Sequence, residues 1–263
     1  MSLILVAHGT RRPGGVAMIG DLAAQVSALL DRTVRVAFVD VLGPTPSEVL
    51  SSVTASNRTA IVVPAFLSRG YHVRTDLPAH VAASGHPNVI VTPALGPSGE
   101  IARIVAQQLM KSGWHPGDSV ILAAAGTSDP RARSDLHTIA TLLSALTGSR
   151  VSLGFAATAD PHVHEAVEKA RATARRRGAR RVVVASYLLA DGLFQQRLRA
   201  SGADLVTEAL GTHPGLARLI ANRFRRAVPS VPAATARRAH RRVLPNSVER
   251  KALLARRADA SKA

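Results

Sequence analysis

The sequence predicts an α/β protein: two tandem open, parallel-sheet domains of flavodoxin-like layout, produced by an internal duplication and followed by a basic tail. Three observations predict it. Strand-length apolar runs alternate with segments of helical periodicity. Those runs are mostly continuous in apolar character, as expected of parallel strands covered on both faces. The second half of the chain also restates the first, in the same order.

The first run, Leu3–Ala7, reads as a strand, and "VAMIGDLAAQVSALL" after it places apolar residues three and four apart, as a helix does. Val34–Val39 reads as the second strand. Pro44 and Pro46 in "GPTPSEVLSSV" then suit a helix N-terminus, where a missing N–H costs nothing. Ala60–Phe66 and Val89–Thr92 complete the first set, and "KSGWHPGD", Lys111–Asp118, supplies turn residues for a junction. The second set is Ser119–Ala124, Val151–Ala156, Arg181–Leu188 and Asp204–Thr207.

The repeat is legible at the level of residues. Ile4–Leu5 and Gly9–Thr10 match Ile121–Leu122 and Gly126–Thr127, and "VRVAFVDVLGPTPSEV" from Val34 matches "VSLGFAATADPHVHEA" from Val151 at the same spacing. "VVPAFLSRGYH" from Val62 answers "VVASYLLADGLF" from Val183, with one residue inserted, and "VTPALGPSGEIARIVA" answers "VTEALGTHPGLARLIA". The expected boundaries are 1–113 for a first domain carrying the site, 118–227 for a degenerate repeat, and 228–263 for a disordered tail.

With 263 residues and 46% hydrophobic content the chain can bury a sizeable core, built from aliphatic residues because aromatics are only 3%. There is no cysteine, which excludes disulfides and thiolate chemistry and leaves His, Asp, Glu or backbone oxygen for any metal. No apolar stretch is expected to span a bilayer, and the N-terminus lacks a signal-peptide pattern, so a cytoplasmic location is expected. The net charge is +17, and about half of it falls from Arg225 onward in a stretch of paired arginines, prolines and small residues. A tail-driven nucleic-acid binder is therefore one reading, against which stands the scarcity of aromatic residues for base stacking.

Ligands of open parallel sheets bind beyond the carboxyl ends of the strands. His8 follows the first strand, Asp40 the second, and His72 lies in "FLSRGYHVRTDLP" after the third. Three candidate metal ligands thus leave three strands on one rim. The second half has Ala125, Ala157 and Phe194 at the matching positions, so all three polar groups are missing together. Read singly, each has an ordinary explanation: a polar rim residue, a loop histidine, a helix cap. Arg11, Arg12, Arg69 and Arg74 place cations beside the histidines and suit a ligand bearing several carboxylates. "GTRRPGG" fits neither nucleotide-binding glycine pattern, and "HVHE", His162–Glu165, puts its histidines two apart on a helix, where they share no face.

"LILVAHGTRRPGG", "FVDV…PTPSEVL", "VVPAFLSRGYHVRTDLP" and "VTPALGP" resemble the class II tetrapyrrole chelatases, and among them the sirohydrochlorin chelatases of the CbiX and SirB type. The resemblance covers residues 1 to about 225 as two repeats and leaves the tail outside. It implies a lyase that inserts Co²⁺ or Fe²⁺, with Ni²⁺ a third candidate, into sirohydrochlorin without ATP, for siroheme or cobalamin synthesis. It also implies His8 and His72 as metal-binding and catalytic histidines, and Asp40 near a position often occupied by Glu. No permanently bound cofactor is expected; the metal is a substrate, and the fused repeats suit a monomer. The competing reading is a nickel or cobalt carrier that uses the same histidines without turnover.

Overall fold

The structure, a computed structural model, describes residues 1–54, 58–177 and 181–228, with backbone alone for 174–177 and 212. The disorder expected of the tail falls outside the described residues.

Two four-stranded sheets carry the fold, and every strand pair in them is parallel. The first comprises β1 (Ser2–Ala7), β2 (Val34–Phe38), β3 (Ala60–Pro64) and β4 (Val89–Val91), in the order β2-β1-β3-β4. The second repeats that order as β6-β5-β7-β8, with β5 (Ser119–Ala124), β6 (Val151–Phe155), β7 (Val182–Ser186) and β8 (Leu205–Val206). The central strands β1, β3, β5 and β7 are almost wholly buried, which explains their unbroken apolar runs. The helices are α1 (Pro13–Leu30), α2 (Pro46–Thr54), α3 (Leu77–Ala83), α4 (Gly99–Lys111), α5 (Pro130–Thr147), α6 (Val163–Arg177), α7 (Leu193–Arg199) and α8 (Pro214–Ala227). Proline occupies the first turn of α1, α3, α5 and α8, where its fixed φ favours the helix.

The two repeats share one core. Leu22 and Val26 of α1, Val105 and Leu109 of α4, Ile139 and Leu143 of α5, and Ile220 and Phe224 of α8 belong to a single buried cluster. The helices pair crosswise, α1 against α8 and α4 against α5, and the compact unit runs from Met1 to Val228.

Two sequence expectations are corrected. One stretch does reach membrane-spanning length: α1 has 18 residues and is apolar enough by composition to cross a bilayer. Here Ile19, Leu22, Ala23 and Val26 are buried against the protein core, the ordinary use of such a helix. Second, Ser2 pairs with Ala60 and Ser119 with Val182, so Val63 corresponds to Ala185 and not to Val184. The extra length of the second repeat therefore lies ahead of β7, not in the loop after it.

Candidate metal centre at the strand ends

In a sheet of order β2-β1-β3-β4 the connection from β1 runs to one side, to β2, and the connection from β2 returns across β1 to β3 on the other side; this reversal opens a crevice at the carboxyl ends. His8 directly follows β1. Its neighbour Gly9 has φ +94, and a Cβ there would come within 2.1 Å of the Asp40 carbonyl oxygen. Only glycine permits that approach. It lets the Asp40 N–H donate to the His8 carbonyl at 3.1 Å, extending the β1–β2 ladder past the strands. Asp40 is thereby fixed beside His8, and its Oδ1 accepts from the Val41 N–H at 2.7 Å.

His72 arrives from β3. It opens a π-helical turn, His72–Asp76, that runs into α3. The four-residue spacing puts Asp76 on the same face, and the His72 Nδ1 lies 2.5 Å from the Asp76 Oδ2. Phe66 stacks on the imidazole at 6.3 Å and Tyr71 meets it edge-on at 6.2 Å. The sequence reading assigned Asp76 no role, although its spacing from His72 was the available signal.

The three predicted ligands come together. One side-chain donor atom from each of His8, Asp40 and His72 lies within 4.8 Å of the others, with His8 and Asp40 exposed and His72 half-buried. Donors around one first-row ion stand about 3–3.5 Å apart at bond lengths of about 2.1 Å, so small rotations would close the set. An open cleft of about 570 Å³ adjoins it, lined by Asp40, Tyr71, His72, Asp76 and His80. His80, for which the sequence suggested no partner, contacts the Ser47 hydroxyl at 3.2 Å.

The second repeat keeps the backbone and loses the chemistry. Ala157 N–H donates to the Ala125 carbonyl at 2.9 Å, repeating the Asp40–His8 bond, and Gly126 again has positive φ. The strand register makes Phe194 the counterpart of His72 in the second repeat.

The four arginines divide into two kinds. Arg69 donates to the carboxylate of Asp135 on α5 from Nε and, at 2.5 Å, from Nη2, and its backbone N–H adds a third contact at 2.7 Å. Asp135 is 1% exposed, and its hydrogen bonds and charge hold the guanidinium pKa above its ordinary value. Arg74 bonds Asp129, the N-cap of α5, at 2.5 Å, and that bond is the foremost cause of the lowered Asp129 pKa. Both guanidinium groups thus reach the opposite repeat. Arg11 and Arg12 are exposed at the start of α1 and have no ion pair among the described residues. Arg12 Cδ lies 3.8 Å from where a Cβ on Gly192 would be, so it borders the N-terminus of α7, the helix that carries Phe194.

Comparison with known proteins agrees with this layout. The CbiX family profile matches residues 2–112 and again 119–227. The sirohydrochlorin ferrochelatase of Priestia megaterium is 25% identical over 241 residues, 85% of this chain and 89% of that protein. A sirohydrochlorin cobaltochelatase of the same organism is 28% identical over 210 residues, 75% of this chain and 67% of its relative. Among solved structures, SirB from Bacillus subtilis with Fe³⁺ superimposes with a TM-score of 0.73 at 20% identity, covering 89% of this chain and 97% of SirB. CbiX, described as the terminal enzyme of siroheme biosynthesis in denitrifying bacteria, superimposes with a TM-score of 0.64 at 20% identity, over 87% and 100%. These two likenesses bear on the fold.

Proposed function

The chain belongs to the CbiX family, and from that premise we propose that it is a sirohydrochlorin chelatase, inserting Co²⁺ or Fe²⁺ into the macrocycle without nucleotide hydrolysis. The observation that carries the reading is the convergence of His8, Asp40 and His72 within 4.8 Å, the one such group among the described residues, in the leading repeat. Residues 1–113 carry the site and residues 118–227 supply the facing wall.

Metal insertion exchanges one M²⁺ for two pyrrole protons. The site must therefore hold the ion loosely, leave coordination positions open, and accept protons. Imidazole serves both needs near neutral pH. With the proton on Nδ1, His72 donates to Asp76 and offers Nε2 to the metal; the Gly9 carbonyl, 3.1 Å from the His8 Nδ1, favours the same tautomer there. Asp40 is the third ligand. As each ring nitrogen takes over the ion, a freed imidazole can take a pyrrole proton and release it to the open cleft. Arg11 and Arg12 face the carboxylates of the macrocycle, and exposed Tyr71, Leu193 and Phe194 offer apolar surface to its ring. The crosswise helix pairing that lies within one chain supports a monomer, and the place of action we propose is the cytoplasm.

The test is a spectrophotometric assay of sirohydrochlorin with Co²⁺, Fe²⁺ and Ni²⁺ in turn. The expected result is protein-dependent loss of the free-base spectrum with at least one of them. Tight metal binding with no spectral change would replace the chelatase by a carrier.

A further inference from the structure

The second repeat has Ala125, Ala157 and Phe194 in place of the three site residues, and it carries a cavity of its own. About 490 Å³ opens on the outer edge of β6, between α5 and α6. Its floor is apolar, formed by Leu153 and Phe155 of β6 with Ala166 and Ala170 of α6. Its rim carries Arg133 and His137 from α5, Arg150 ahead of β6 and Lys169 from α6, against one carboxylate, Asp160. None of Arg133, Arg150 and Lys169 joins an ion pair among the described residues.

The leading repeat supplies an internal control, because its backbone is the same here. Phe38 N–H donates to Pro44 O and Phe155 N–H to Pro161 O; Val49 N–H donates to Thr45 O and Ala166 N–H to His162 O. At that constant spacing Ala166 and Ala170 stand where the first repeat has Val49 and Val53, which removes bulk from the α6 wall. Arg133, His137, Arg150 and Lys169 stand where it has Val16, Gly20, Thr33 and Ser52. In the other direction, Ser152 stands where it has Arg35 and Asp160 where it has Gly43, so this lining is smaller than its counterpart and carries one more net positive charge, with its cations at different positions. In an arginine-rich chain scattered surface cations are ordinary. Cations set around an open apolar recess, whose wall has two smaller side chains than its counterpart, suit a ligand with both an acid group and an apolar part.

We propose that this cavity is a second ligand site, for a small carboxylate with an apolar body. The volume lies in the range of small-molecule pockets. The floor takes the apolar body, and the rim takes the acid group through charge-assisted hydrogen bonds. The site shares no residue with the metal centre and does not depend on the chelatase reading. The open edge of β6 offers a rival occupant. Phe155 N–H points outward to Pro161, so by strand alternation the N–H groups of Val151 and Leu153 face outward too and could pair with an extended acidic peptide.

The test is displacement of anilinonaphthalene sulfonate fluorescence by decanoate, by decanol and by an alternating Val–Glu peptide, on the full chain. Decanoate should displace the dye at least about tenfold better than decanol. Two variants restore the first repeat's residues: Ala166→Val with Ala170→Val refills the void, and Arg150→Thr with Lys169→Ser removes charge. Each should weaken decanoate by about tenfold or more, with chelation rate unchanged. Equal displacement by decanol, or wild-type affinity in the Arg150→Thr, Lys169→Ser protein, overturns the proposal. That variant alters only exposed side chains, so it decides the matter even if the refilled protein fails to fold. Displacement by the peptide but not by decanoate also overturns it, in favour of a strand-pairing partner.

Discussion

The imidazole rings of His8 and His72 meet edge to face, with centroids 4.5 Å apart at 89°. They come from adjacent strands by different routes, one directly off β1 and the other through the π-helical turn after β3. Rings this close in an open cleft can share one ion. His8→Ala and His72→Ala should each lower chelation by about 100-fold or more, the range for removing a group that handles protons. Calorimetric Co²⁺ binding should fall in parallel. Either variant turning over at the wild-type rate would sink the assignment.

Asp76 is expected to act through His72. Partners of this kind typically change metal affinity by about 10- to 100-fold. Asp76→Ala should therefore weaken Co²⁺ binding by that factor, and Asp76→Asn, which can still accept from Nδ1, by less. Thermal stability should barely move, because Asp76 makes no side-chain cap to α3. Unchanged metal affinity in Asp76→Ala would show the contact to be incidental.

The central strands, the repeat and the convergence of His8, Asp40 and His72 were legible because each depends on local pattern or on shared topology. What stayed hidden depends on distant pairing. Arg69 and Asp135 are 66 residues apart, and Arg74 and Asp129 are 55 apart, so no periodicity could join them. The sequence therefore presented four arginines of one kind. The offset of β7 was hidden for another reason: "VV" pairs occur in both strands, and only the hydrogen-bonded register separates the two alignments.

Gly9→Ala tests the backbone hinge beneath the site. A residue with a Cβ at φ +94 is strained by about 1–2 kcal/mol before contacts are counted. Here the Cβ would also overlap the Asp40 carbonyl. Urea denaturation should show a loss of about 2 kcal/mol or more, with Co²⁺ affinity reduced because His8 and Asp40 can no longer approach. Wild-type stability would mean that the loop relaxes without cost.

The two kinds of arginine should separate kinetically. Asp135 is 1% exposed, and Arg69→Met leaves its carboxylate without the guanidinium. An under-satisfied buried acceptor costs about 1–3 kcal/mol, and because the arginine itself is 59% exposed the lower half of that range is expected by urea titration. KM for the macrocycle should hold. Arg12→Ala should do the reverse, raising KM with little effect on stability. A raised KM in Arg69→Met at unchanged stability would return Arg69 to the substrate face.

His213 sets an acid limit on the fold. Its Nδ1 accepts from the Gly215 N–H at 3.0 Å as the N-cap of α8, a bond that requires that nitrogen to be unprotonated. Burial first, then Arg218 and Lys111, hold its pKa below the ordinary 6.5. Between the folded value and 6.5 the unfolded chain binds the extra proton, so stability rises with pH there. The contribution is complete above 6.5 and is lost as pH falls through the lowered folded value. His213→Asn keeps a capping oxygen without a titrating ring. Urea midpoints from pH 7 to pH 5 should fall for the wild type and stay flatter for the variant, whereas the carboxylates with lowered pKa act only in stronger acid. Parallel curves for the two proteins would remove His213 as the cause.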